Sequence, residues 1–236
     1  MVAKIIGIAQ SKGGVGKSTL CANLSVTLSQ NATVLMIDCD PPQYSLSAWY
    51  AIRDELYVET GLDIKTASTP SQLNSLISHH KDEYDYILID GAPHVNSLVR
   101  SMLLSSNLII IPLAPSSVEI WSFTSFEKLI NEAIKYNKNL TCKIVWNRVR
   151  KRVKSSQEVI EQVNKTSKLT AFKNIISFRV AYMDSFAEGC SVYEWTDAVA
   201  SAEIWSLSSA VKRVASKLNV IKPAQSQPAL NFVRKG

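Results

Sequence analysis

Long apolar runs are missing from this sequence of 236 residues: nothing approaches the roughly 18 consecutive apolar residues that a membrane-crossing helix needs. Met1 to Ala9 is too short, with too few flanking charges, for a secretory signal, so the cytosol is the expected compartment. Cysteine is scarce. Cys21, Cys39, Cys142 and Cys190 lie far apart without C-x-x-C spacing, which excludes a disulfide framework, a thiolate zinc site and paired cluster ligands, and leaves them as small core residues. Histidine is scarcer still; His79, His80 and His94 read as too few and too separated from acids for a metal site. Nothing marks a Ser-His-Asp hydrolase triad, and there is no internal repeat or low-complexity segment. What is present is a balanced globular composition, 46% hydrophobic and 19% charged, which argues against a disordered or fibrous chain. The expectation is one domain over residues 1–221. A weakly ordered tail follows over 222–236, where Pro223 and Pro228 sit among Gln and Ser.

Acids are absent from one stretch in particular. Lys143, Arg148, Arg150, Lys151, Arg152 and Lys154 fall within twelve residues with no Asp or Glu, and they account for the whole formal excess of +6. The positive charge is therefore one patch.

The order of apolar segments predicts the fold. Ala3 to Ala9 is a β-branched run that stops at a glycine-rich turn. From Lys17 to Gln30, Leu20, Leu24 and Leu28 recur at four-residue spacing, as on a helix with one apolar stripe. Thr33 to Ile37, Tyr86 to Ile89, Leu108 to Leu113 and Thr141 to Trp146 repeat the strand pattern with helix-like segments between them. Ile175 to Phe178 reads as an edge strand; Ser155 to Leu169, Val180 to Glu188 and Ala198 to Leu218 read as helices. Continuous rather than alternating apolar strands belong to a mainly parallel sheet covered on both faces, so the fold class is doubly wound α/β.

Gly13, Gly14, Val15, Gly16, Lys17, Ser18 and Thr19 lie between the first strand and the first helix, where backbone N–H groups and the helix dipole hold phosphate. Glycine permits the positive φ angles of such a cradle, Lys17 can reach the β and γ phosphates, and the Ser18 hydroxyl can ligate Mg²⁺. The first glycine of the general G-x-x-x-x-G-K-[ST] pattern would fall at Ser11; Lys12 stands next to it instead. Lys12-Gly-Gly-Val-Gly-Lys-Ser-Thr resembles the deviant Walker A loop of the ParA/MinD family of ATPases, and the resemblance extends over nearly the whole chain. It implies a P-loop fold, ATP and Mg²⁺ as cofactors, and a homodimer that forms when two subunits sandwich two ATP molecules. The lysine matching Lys12 then crosses to the partner's nucleotide, because facing triphosphates repel unless each site gains a desolvated cation. The plainer reading of Lys12 is a solvated loop residue.

The second strand runs into Asp38-Cys39-Asp40-Pro41, and doubly wound sheets bind ligands at the carboxyl ends of their strands. The resemblance gives Asp40 the task of orienting the attacking water, beside Lys12 and Lys17 as catalytic residues, and puts Asp38 near Mg²⁺. Acids at a strand end also commonly cap the next helix. Relatives commonly read D-x-D-P-Q, whereas Asp40-Pro41-Pro42-Gln43 carries one extra residue. Asp90, ending an apolar strand, corresponds to the Walker B acid and joins Ser18 and Asp38 as a candidate metal residue. Asn147-Arg148 resembles the adenine-reading turn, an amide being able both to donate and to accept. Arg179 to Tyr182 and Phe186 to Glu194 resemble the C-terminal block of small partition ATPases; no base contact is assigned to Phe178, which stands where proline is frequent.

Arg150, Lys151, Arg152 and Lys154 form the electrostatic footprint of a phosphate-backbone binder, with the solvated helix face as the plainer alternative. Lys212, Arg213 and Lys217 could extend it. The resemblance implies sequence-blind binding of DNA by the ATP-loaded dimer, a slow ATPase stimulated by a ParB-like or cargo-adaptor partner, and a nucleoid-associated role in positioning a plasmid, chromosome or protein compartment such as a carboxysome. With no helix-turn-helix ahead of the P-loop, the chain reads as the small ParA type. A MinD-like membrane-cycling regulator is the alternative, but Pro223 and Pro228 interrupt the terminal amphipathic helix that it needs, so no stable membrane binding is expected. A nitrogenase-reductase-like dimer lacks its cluster cysteines here, and a nucleotide-gated module without turnover is disfavoured by Asp40. Trp49, Trp121 and Trp195 read as core or interface anchors.

Overall fold

A computed structural model describes residues 2–56, 61–150 and 152–218. Lys151 and the expected tail over 222–236, with Pro223 and Pro228, lie outside the described residues. The elements run β1 (Lys4–Ile8), α1 (Lys17–Ser29), β2 (Val34–Cys39), α2 (Ser45–Leu56), β3 (Leu62–Thr66), α3 (Pro70–His80), β4 (Tyr86–Gly91), α4 (Ser97–Ser105), β5 (Leu108–Leu113), α5 (Ser117–Tyr136), β6 (Thr141–Val149), α6 (Lys154–Thr166), β7 (Thr170–Ser177), α7 (Ala181–Ala187) and α8 (Ala198–Ala215). The seven strands pair in the order β3-β2-β4-β1-β5-β6-β7, and every pairing is parallel.

Two apolar layers cover the two faces of the sheet, as continuous apolar strands require. One is built by Leu73 and Ile77 of α3, Val99 and Met102 of α4, Phe123 and Phe126 of α5 and Val163 of α6. The other gathers α1, Leu46 and Trp49 of α2, Tyr182 of α7 and Ile204 and Leu207 of α8. The doubly wound expectation therefore holds. Beyond β1 the chain builds β2, β3 and β4 on one side and β5, β6 and β7 on the other, so its direction reverses at β1 and a ligand crevice is expected at that strand's carboxyl end.

Three local expectations are corrected. The first helix has no single apolar stripe: Leu20 through Leu28 is buried without a break, because α1 lies on the sheet and is covered by α2, α7 and α8. β3 escaped notice because Leu-Asp-Ile-Lys-Thr is a short edge strand with only Leu62 buried. β7 begins at Thr170 rather than Ile175, since Lys173 and Asn174 sit on an outer strand whose polar positions broke the apolar run. All four cysteines are free and buried. Among the described residues no helix is long and apolar enough to cross a membrane.

Candidate nucleotide site

The loop between β1 and α1 takes its shape from two glycines in the left-handed region, Gly14 at φ 72° and Gly16 at φ 92°. A Cβ on Gly16 would lie 2.7 Å from Asn147 Nδ2, so the position excludes side chains by contact as well as by backbone angle. No side chain caps the start of α1, and the orphan N–H groups of a helix N-terminus attract an anion. Lys17 is buried, 6% exposed, and donates from Nζ to the Lys12 carbonyl at 3.2 Å. Burial lowers its pKa and outweighs the opposing pull of Asp90, Asp40 and Glu119.

Asp38 and Asp90 are register partners across β2 and β4, and Asp90 also stands beside Ile8 of β1. Their environments differ. The Asp38 carboxylate accepts from the Asp40 N–H at 3.1 Å and from the Ser47 N–H and hydroxyl at 2.9 and 3.0 Å, tying the strand end to the first turn of α2. The plainer reading of Asp38, a helix-end acceptor, describes these contacts. Asp90 is 1% exposed, and neither of its oxygens meets an aligned hydrogen-bond donor. Burial first, and then the neighbouring charge of Asp38, pushes its carboxyl up to about 7, although the nearby Ser18 hydroxyl and Lys17 favour ionisation. A buried acid left without donors, with a serine hydroxyl beside it, is a donor set that suits a hard, oxygen-seeking cation such as Mg²⁺.

Asp40 is half-buried at the mouth of this pocket, its carboxyl raised by desolvation against the pull of Lys17. The extra residue after it is absorbed in a turn closed by the Tyr44 N–H on the Asp40 carbonyl at 2.9 Å, with Tyr44 at φ 43°. His94, at φ 69°, approaches Asp40 electrostatically, and its N–H donates to the Ser11 carbonyl at 2.8 Å. Sequence reading passed over that contact because nothing in the spacing links residues 40 and 94.

Lys12 has a partner in its own chain. Its Nζ lies 2.6 Å from Glu119 Oε1, while Glu119 Oε2 is buried without a donor. Ser116 and Glu119 have the S-x-x-E spacing of a capping box, and the Ser116 hydroxyl accepts from the Glu119 N–H at 3.4 Å; the carboxylate, however, turns to Lys12. Val118 and Trp121, either side of Glu119, are 55% and 70% exposed. Of the tryptophans expected as core or interface anchors, Trp49 lies in the core, as does Trp146, Trp195 is half-buried against it, and Trp121 is exposed.

Asn147 lies within β6, further along than the strand expected from sequence, and is buried. Its Nδ2 donates to the Val15 carbonyl at 2.8 Å and its Oδ1 accepts from the Arg148 N–H at 3.0 Å, so the amide braces the phosphate loop. A pocket opens beside it, lined by Gly16 and Thr19 of the phosphate loop together with Arg148, Phe178, Tyr182 and Met183. Arg148, Phe178 and Met183 supply exposed surface on its rim. Phe178, given no base contact from sequence, does line this pocket.

Arg150, Arg152 and Lys154 are exposed at the end of β6 and the start of α6, while Lys151 lies outside the described residues. The Arg150 guanidinium sits 5.0 Å over the Phe178 ring, and Lys154 makes only a loose 3.7 Å pair with Glu158. Lys143 belongs elsewhere: it donates to Thr170 Oγ1 at 2.9 Å between β6 and β7. The histidine expectation is corrected too, because a turn after α3 brings His80 Nδ1 to 2.6 Å from Glu83 Oε2.

A family model, the CobQ/CobB/MinD/ParA nucleotide binding domain, matches residues 6–192. A relative called maintenance of carboxysome distribution protein A, from Halothiobacillus neapolitanus, is 26% identical over 203 residues, 80% of this chain and 86% of the relative. Among solved structures, the ATP complex of a Cyanothece McdA superposes with a TM-score of 0.74 at 17% identity, covering 89% of this chain and 96% of that one. A putative plasmid partition protein of Borrelia burgdorferi bound to AMPPNP gives a TM-score of 0.71 at 24% identity, covering 89% and 99%.

Proposed function

Because the chain belongs to the CobQ/CobB/MinD/ParA nucleotide-binding family, we propose that it is a ParA-type ATPase that dimerises on ATP, binds DNA without sequence preference and positions a cargo on the nucleoid. The observation that carries this reading is the convergence, at the carboxyl end of β1, of an uncapped helix start, the buried Lys17 and the buried Asp90, which has only the Ser18 hydroxyl beside it and no aligned donor. No apolar core needs such a cluster, whereas a triphosphate with a divalent cation satisfies all three at once. The relatives support this biology: one maintains carboxysome distribution and another is a plasmid partition protein.

Lys17 and the N–H groups of residues 13–19 bind and orient the phosphates in a site dry enough to strengthen each contact. Ser18 and Asp90 would hold Mg²⁺, which when bound neutralises charge on the β and γ phosphate oxygens. Asp38, its oxygens already committed, positions the Asp40 loop instead of ligating. Asp40 orients a water and accepts its proton, with its raised carboxyl giving modest basicity and slow turnover. Arg148, Phe178 and Tyr182 border the base.

Dimerisation gives Lys12 a second partner. Leaving Glu119 for the phosphates of a partner subunit exchanges one charge partner for a more highly charged one, and Val118 and Trp121, three residues apart, give the helix that carries Glu119 an exposed apolar surface. Arg150, Arg152 and Lys154, with Lys151, would grip the DNA backbone, and a cargo-bound adaptor would stimulate hydrolysis. The setting is cytoplasmic and nucleoid-associated.

The test is phosphate release with ATP and Mg²⁺, with and without DNA, beside a DNA titration at several salt concentrations. Wild type should hydrolyse slowly, and Asp40→Ala should lose turnover by about a hundredfold or more while retaining ATP. The Arg150→Ala, Arg152→Ala, Lys154→Ala variant should bind DNA more weakly, with a shallower salt dependence. Undiminished hydrolysis in Asp40→Ala, or an unchanged salt slope in the triple variant, would refute the corresponding part.

A further inference from the structure

We propose that the turn joining α3 to β4 is a binding site for a borderline divalent transition-metal ion, with His79, His80 and Glu83 as its ligands. α3 ends with Lys81 donating its N–H to the Ile77 carbonyl at 3.0 Å, and the next turn folds back as the Glu83 N–H donates to the His80 carbonyl at 3.0 Å. That reversal sets the Glu83 carboxylate 2.6 Å from His80 Nδ1. The His79 and His80 rings meet edge to face with centroids 4.9 Å apart, and one ligand atom from each of the three residues lies within 4.8 Å of the others.

The set is held from behind. Tyr84 presents its ring to His80 at 5.9 Å between centroids, and its hydroxyl donates to Asp63 Oδ2 at 2.8 Å, fixing the side against which His80 rests. Contracting the ligand atoms to the roughly 3.4 Å spacing of a tetrahedral shell with bonds near 2.1 Å takes rotation of the exposed His79. Asp82 adjoins Glu83 in the turn, and Asp63 is held next to it through the Tyr84 hydroxyl, so acids accompany the ligands in a chain whose overall charge is +6.

Two imidazoles and a carboxylate select Zn²⁺, Ni²⁺ or Cu²⁺ over Mg²⁺ or Ca²⁺, which prefer all-oxygen shells. Three protein ligands leave a fourth position to water, so the site is open and the ion exchangeable. It lies where β4 begins, at the pole of the sheet opposite the phosphate loop, which is anchored at strand carboxyl ends. Its occupancy can therefore be read apart from nucleotide and Mg²⁺.

The experiment is calorimetric titration of the untagged full-length chain with ZnCl₂, without nucleotide and with excess Mg²⁺. Saturable uptake of one Zn²⁺ per chain is expected. His79→Ala and His80→Ala should each weaken it by at least about tenfold and Glu83→Gln by several-fold, while Zn²⁺ raises the melting temperature of wild type but not of the double histidine variant. All four cysteines remain in that variant and serve as the control for thiolate binding. Absence of saturable uptake by wild type, or wild-type uptake by the folded double variant, would overturn the assignment.

Discussion

Asp90, the proposed Mg²⁺ residue, illustrates how a site can be set at the expense of stability. Its ordinary carboxyl value of 3.8 is pushed to about 7 by burial and by Asp38. Between roughly pH 4 and 7 the folded chain holds a proton that the unfolded chain has released, so stability falls as pH rises through that window and then levels off. Asp90→Asn should remove this slope and stabilise the nucleotide-free protein at pH 8 by roughly 2–4 kcal/mol, while abolishing Mg²⁺-dependent hydrolysis. Urea unfolding of both proteins at pH 5 and pH 8 measures it; an Asn variant less stable than wild type at pH 8 would contradict the buried-charge account. The residues of the phosphate loop were legible in the sequence because a backbone that must turn through positive φ next to phosphate admits few side chains. Glu119 was not, since its importance rests on where α5 lies relative to Lys12, and 107 residues separate the two. Asn147 was legible as a special residue, but its bond to the Val15 carbonyl was not.

At the scale of elements, the connection between α7 and α8 is pinned to α2 by a charged anchor. Arg53 is 1% exposed; its guanidinium makes two bonds to the Glu194 carboxylate, at 2.8 and 2.7 Å, and a third to the Gly189 carbonyl at 3.2 Å. Gly189, at φ 68°, must be glycine, because a Cβ there would meet the Arg53 backbone nitrogen at 2.7 Å. Arg53→Ala removes a buried side chain and leaves the Gly189 carbonyl without its donor, so it should cost about 3 kcal/mol in urea unfolding and loosen α7, which lines the pocket beside Asn147. A loss under about 1 kcal/mol would show that the anchor is not structural. Nothing in the sequence marked Arg53, for a lone arginine on a helix reads as solvent-facing. Strands buried on both faces were read correctly from their apolar runs, while β3 and half of β7 were hidden by the polar residues that edge strands carry on their open sides.

At the scale of the whole molecule, the proposed function places a seam between two copies. The phosphate loop carries Lys12 on Glu119, and α5, which supplies Glu119, also exposes Val118 and Trp121. The cations that follow β6 also stand at the carboxyl end of a strand, with Arg150 resting on the Phe178 ring of the pocket beside Asn147. On the proposed reading, nucleotide, partner and DNA would address neighbouring parts of one surface, so nucleotide-dependent assembly and DNA binding are expected to rise together. Glu119→Gln, which frees Lys12 from its intrachain partner, should favour the assembled state at lower ATP concentration, whereas Lys12→Ala should prevent it. The most direct measurement is sedimentation velocity of the hydrolysis-arrested Asp40→Ala chain with ATP and Mg²⁺ and again with ADP, beside the same chain carrying Lys12→Ala. The account expects dimers with ATP, monomers with ADP, and monomers under both conditions once Lys12 is removed; ATP-bound monomers, or dimers indifferent to Lys12, would contradict it.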